Sequence, residues 1–144
     1  DPGLHVCREA SEKPVFGIQE CGILTAMSRG DRFGVIALQE RSIRRHLRYL
    51  RQIGVMERLA GERAAGLSVG ESVSGKDSFE KLLAAAKQLR YSDQADTIIL
   101  GCAGMASHRA KLESAIEIPV ISPVQATVSM AMHSLLTTQQ YEKL

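Results

Sequence analysis

"DTIILGCAGMASHR", residues 96–109, decides how this chain folds. Thr97 to Leu100 form an unbroken apolar and β-branched run, the pattern of a strand covered on both faces of a parallel sheet. Gly-Cys-Ala-Gly then stops the strand, and a helix is expected from about Ala106. In open α/β sheets such a junction lies at the carboxyl edge, where ligand crevices form. The glycines let backbone approach closely. The amides of Ala103, Gly104 and Met105 stand at or near the helix start, free of intrahelical partners and able to bind an anion. The same donors and dipole favour thiolate over thiol at Cys102, and could equally hold a substrate carboxylate or enolate oxygen. The competing reading is a small buried hydrophobe, the usual fate of a free cysteine.

Working outward, strands and helices alternate. Residues 4–11 suit a short helix, and "PVFGI" from Pro14 suits a short buried strand. A helix over 21–29 carries Ile23, Leu24 and Met27 and stops at Gly30 and Asp31, before the strand "RFGVIAL". In "RSIRRHLRYLRQIG", Ile43, Leu47 and Leu50 share one helical face while Arg41, Arg44, Arg45, Arg48 and Arg51 spread over the other. Tyr49 is the only aromatic among those arginines, so they read as a solvated face rather than a phosphate or nucleic-acid site. Residues 61–77 read as a loop, and Asp77 or Ser78 caps a helix with Phe79, Leu82, Leu83, Ala86 and Leu89 inward. After residues 96–109 come the strand "IPVIS" and a last helix opened by Ser122, Pro123 and Gln125. Its expected apolar face is Val124, Val128, Ala131 and Leu135. The order predicts an α/β fold with a mainly parallel sheet.

Composition narrows the function. The chain has 144 residues, 44% of them apolar, and a net charge of +2 from 18 basic and 16 acidic side chains. That balance gives no sequence-independent grip on nucleic acid, so small-molecule partners are expected. No run approaches the roughly 20 apolar residues of a membrane span. Cys7, Cys21 and Cys102 suit neither a disulfide framework nor a Cys-x-x-Cys metal site, which points to reduced thiols and a cytoplasmic protein. His5, His46 and His133 make no metal-ligand spacing with one another or with carboxylates, and His108 falls too far along its helix from Cys102. Cys7 and Cys21 lie in helical patterns without a turn like that at Cys102. The opening "DPGL", a turn without an initiator methionine, reads as the start of a fragment whose front half is missing.

"PVFGIQECGILTAM" from Pro14 can be laid over "PVISPVQATVSMAM" from Pro119, an offset of 105 residues. Carried upstream by that offset, Cys102 corresponds to a position about four residues before Asp1. "DPGL" then takes the place that "AGMA" holds after Cys102, so two strand-end turns would face each other across a cleft.

At "LGCAGM" the sequence resembles the aspartate/glutamate/hydantoin racemase superfamily, and within it the hydantoin and allantoin racemase branch. "DPGL", "PVFGIQE", "RFGVIAL" followed by "RS", and "IPVISPVQA" match that branch in order and spacing. The resemblance implies two pseudo-symmetric, flavodoxin-like lobes, with residues 1–30 a remnant of the first, 31–122 the second, and 123–144 a closing C-terminal helix packing on the first. It implies a cofactor-independent isomerase, often a homo-oligomer, in which two cysteines move a proton from opposite faces of the acidic carbon of a hydantoin, allantoin or related cyclic ureide. Cys102 carries over as one of the pair, Gly101, Ala103, Gly104 and Met105 as its turn, and Asp1, Pro2 and Gly3 as the loop of the other. That other cysteine falls three residues before Asp1 in the family pattern. Ala37 and Leu38 stand where many relatives have threonines. Two alternatives remain at this point: a single-cysteine enzyme resembling arylmalonate decarboxylase or maleate isomerase, and an inactive small-molecule-binding domain.

Overall fold

The computed structural model describes residues 1–74 and 77–141. A four-stranded parallel sheet runs in the order β2-β1-β3-β4, with β1 at Phe33–Ala37, β2 at Leu59–Ala64, β3 at Thr97–Leu100 and β4 at Val120–Ile121. The middle pair sets Phe33 opposite Thr97 and Ile36 opposite Leu100. Every residue of β1 and β3 is buried, because helices cover both faces of the sheet. Parallel neighbours require crossovers, supplied by α3 (Glu40–Gln52), α5 (Ser78–Lys87) and α6 (Arg109–Ile116).

Alternation along the strands splits the core in two. Ile36, Ile98 and Leu100 pack with Leu82, Leu112 and Ile116 from α5 and α6. Phe33, Val35 and Ile99 face the other way, against Ile23 of α2 (Ile18–Met27), Leu50 of α3 and Ala126 of α7 (Pro123–Tyr141). The expected α/β architecture is therefore present. So is the internal offset among the helices: α1 (Leu4–Ala10) and α6 begin 105 residues apart, as do α2 and α7, which pack on each other.

Three expectations need correction. Within residues 61–77, expected as a loop, the chain completes β2 and forms α4 (Val69–Ser74), while Gly75 and Lys76 lie outside the described residues. β2 is an edge strand pairing only with β1, and its polar side chains are spent on neighbours: Arg63 makes two bonds to Asp93, at 2.8 and 2.6 Å, and Glu62 pairs with His46. Residues 14–18, expected as a strand, form none: 14–17 are irregular and Ile18 opens α2. A short apolar run becomes a strand only where a neighbour takes its backbone bonds, and here the Val15 carbonyl instead accepts from Arg8 Nε at 3.0 Å. On α7 the inward residues are Pro123, Ala126 and Met130, while Val128 and Leu135 are 55% and 66% exposed. Gly22 of α2 sets this orientation: a Cβ there would sit 3.2 Å from Pro123, so the two helices meet along that line.

Candidate active site

Two turns face one cleft. The first extends β3: the Gly101 amide donates to the Ile36 carbonyl at 2.8 Å, carrying the ladder one residue past the strand. A Cβ at residue 101 would stand 2.5 Å from that same oxygen, so only glycine lets the chain leave the sheet this close to β1. Cys102 follows in extended conformation and caps a tight 3₁₀ turn, Ala103–His108, that feeds α6 at Arg109. The helical stretch thus starts earlier than Ala106, but as 3₁₀ rather than α. Met105 donates its amide to the Cys102 carbonyl at 3.1 Å, which leaves the Ala103 and Gly104 amides ahead of the turn's first bond. The Cys102 side chain is half-buried.

The second turn is Asp1–Gly3. Gly3, at φ 78°, takes the left-handed conformation that opens α1. The Asp1 carboxylate accepts from the amides of Gln19 and Glu20, both at 2.9 Å, and so caps the positive end of α2 from a distance in sequence. Arg8 of α1 meets Glu20 at 2.5 Å and holds its carboxyl below the usual carboxylate range. Tyr49 of α3 approaches Glu20 at 3.5 Å, and burial pushes its phenol up.

Between the turns lies a cleft of about 810 Å³, floored by Ile23, Val35, Leu50 and Ile99. Of the residues singled out in the sequence, Asp1, Pro2, Gly3, Gly101, Cys102 and Ala103 meet on it. Gly104 and Met105 do not. Gly104 abuts Ser72 and Val73 of α4, and Met105 is fully buried in the core on the far side of the sheet. Met105 packs in the same cluster as Leu112 and Ile116, so it anchors the turn rather than lining the cleft.

The opposite flank was not legible as a site. The arginines of α3, all assigned to solvent, divide: Arg45 and Arg48 border the cleft, and Arg41, Arg44 and Arg51 do not. Arg45, Arg48, Tyr49 and Gln52 stand at i, i+3, i+4 and i+7, a second helical stripe beside the apolar one, and that spacing was the available signal. His46, on the same flank, pairs through Nδ1 with Glu62, whose side chain is only 2% exposed and whose Oε2 has no partner among the described residues.

All three cysteines are free. Cys7 is exposed, and Cys21 is buried, with its thiol pushed up by that burial. His108 packs by Ser78, at 3.3 Å, and by Phe79. Among the described residues no group of His, Cys, Asp and Glu is arranged to hold a metal ion, and no helix is long and apolar enough to cross a membrane.

Comparison with known proteins gives one consistent result. Residues 1–131 match the Asp/Glu/hydantoin racemase family. A hydantoin racemase of Paenarthrobacter aurescens is 35% identical over 133 residues, covering 91% of this chain and 56% of the relative. One of Rhizobium meliloti is 36% identical over 132 residues, covering 91% and 55%. The solved allantoin racemase of Klebsiella pneumoniae superposes with a TM-score of 0.88 at 30% identity, over 96% of this chain and 56% of that one. The chain therefore spans about half the length of the curated relatives it matches.

Proposed function

The chain belongs to the Asp/Glu/hydantoin racemase family, and from that premise we propose that it is the Cys102-bearing part of a racemase acting at the acidic ring carbon of a hydantoin, allantoin or related cyclic ureide. One observation carries the reading: the thiol at the tip of a central strand opens on the cleft that the Asp1–Gly3 turn borders from the other side. In the first step Cys102, as thiolate, takes the proton from C5 of the ring. The electron pair moves onto the adjacent carbonyl oxygen, and the Ala103 amide, on the cleft wall, is the donor that steadies this enolate. In the second step a proton returns to C5. A thiol on the opposite face returns it with inversion. The same thiol returns it with retention. In the family pattern the opposite thiol precedes Asp1 by three residues, residues 1–30 are a remnant of its lobe, and the C-terminal segment 123–144 packs on that lobe. No cofactor enters either step. Small-molecule substrates, homo-oligomeric assembly and a cytoplasmic location complete this reading.

The test is deuterium entry at C5 of a 5-substituted hydantoin in D₂O, followed by proton NMR. We expect exchange above the buffer rate with the unaltered chain and its loss in Cys102→Ser. Equal exchange in Cys102→Ser would overturn the proposal.

A further inference from the structure

The cleft continues from Cys102 along the face of the sheet, and its two ends differ in chemistry. At the Cys102 end the cleft is lined by Gly101, Cys102 and Ala103, none of which carries a charged side chain while Cys102 is in the thiol form. Along α3 the flank presents two guanidinium groups, Arg45 and Arg48, above a floor that includes Leu50 and Val35. Among the described residues neither arginine has a carboxylate within ion-pair distance. The nearby carboxylates are already engaged: Asp1 by two amides of α2, Glu20 by Arg8, and Glu62 by His46. Tyr49 adds a hydroxyl and no charge, since burial keeps its phenol protonated. The flank is therefore cationic, and among the described residues neither arginine is ion-paired.

We propose that Arg45 and Arg48 form an anion subsite that receives a carboxylate carried on the substrate's ring substituent. This rests on the reading above, which puts the ring carbon at Cys102. The favoured substrates are then ureides whose C5 substituent ends in an acid, such as hydantoin-5-acetic acid, over those ending in an uncharged group. Planar guanidinium forks suit a carboxylate, and the apolar floor beneath strengthens the attraction relative to open water. The three arginines of α3 outside the cleft serve as an internal control on the same helix.

Calorimetric titration of the chain with hydantoin-5-acetic acid and with its isosteric amide, hydantoin-5-acetamide, tests the subsite without requiring turnover. The acid should bind about tenfold more tightly than the amide, with a margin that narrows between roughly 0.02 and 0.2 M salt. Arg45→Gln/Arg48→Gln should erase that margin and leave the amide's affinity unchanged, whereas Arg41→Gln/Arg44→Gln should preserve it. Equal binding of acid and amide, or the same loss in both double variants, overturns the subsite and leaves the ring reading intact. If neither hydantoin binds while glutarate does, through Arg45 and Arg48, the subsite stands and the ring reading falls. If none of the three binds, both fall.

Discussion

The two turns that border the cleft are held by different physics. The Gly101–Ala103 turn continues a fully buried strand, is bonded to Ile36 of the neighbouring strand, and is anchored below by Met105 in the core. The Asp1–Gly3 turn belongs to a segment whose helix buries only Leu4, and it is fixed by polar contacts: the Asp1 cap on α2 and the Arg8–Glu20 pair. One wall owes its position to apolar burial, which is cooperative and insensitive to pH. The other depends on a few hydrogen bonds and charges, each worth little and each reversible. On the proposed reading, a thiol that must meet a proton at a fixed angle benefits from the first kind of support.

That contrast can be broken by substitution. Gly101→Ala drives a methyl group into the Ile36 carbonyl, and the cost should be global, about 2 to 3 kcal/mol in a urea melt. An unchanged melting midpoint would mean that the Cys102 turn is looser than described. Asp1→Ala removes one cap and should cost about 1 kcal/mol. Its effect should appear as faster hydrogen exchange in α1 and the first turn of α2, with β3 unmoved. Loss of protection spread evenly over the sheet would erase the distinction between the walls. The smallest effect is that of acid. Glu20 is depressed by its bond to Arg8, so its contribution is complete above the ordinary carboxylate range and is lost as pH falls through its lowered value. Asp93, depressed by Arg63, acts in the same sense at the β2 edge. Between pH 7 and about 3, α1 should release before the sheet unfolds, and Arg8→Gln should weaken the pH dependence of that release. Simultaneous loss of α1 and β3 would contradict it.

The same division explains what the sequence disclosed. β1, β3 and α5 announce themselves because burial on both sides of a sheet demands uniform apolar runs and helical stripes. β2 did not, since an edge strand with Glu62 paired to His46 and Arg63 to Asp93 carries no apolar signature. Pro14–Ile18 has the composition of a strand, but pairing is a tertiary fact and no partner lies beside it. In the site, Gly101 was legible because close backbone approach requires it. Met105 was not, because its burial against the helices on the far side of the sheet is a tertiary fact. The division of the α3 arginines depended on how that helix is rotated against the sheet, which its apolar stripe fixes only to within a residue.

On the proposed reading, the sheet-supported wall supplies one proton-transfer thiol, working from one face of the substrate carbon. Cys102 is the only cysteine lining the cleft among the described residues. The separate D and L forms of one 5-substituted hydantoin, each incubated in D₂O with this chain and with Cys102→Ser, test it by NMR and chiral chromatography. Deuterium should enter one hand only, with configuration retained, and the serine variant should fall to the buffer rate. Equal entry into both hands, or entry that survives Cys102→Ser, would contradict the account.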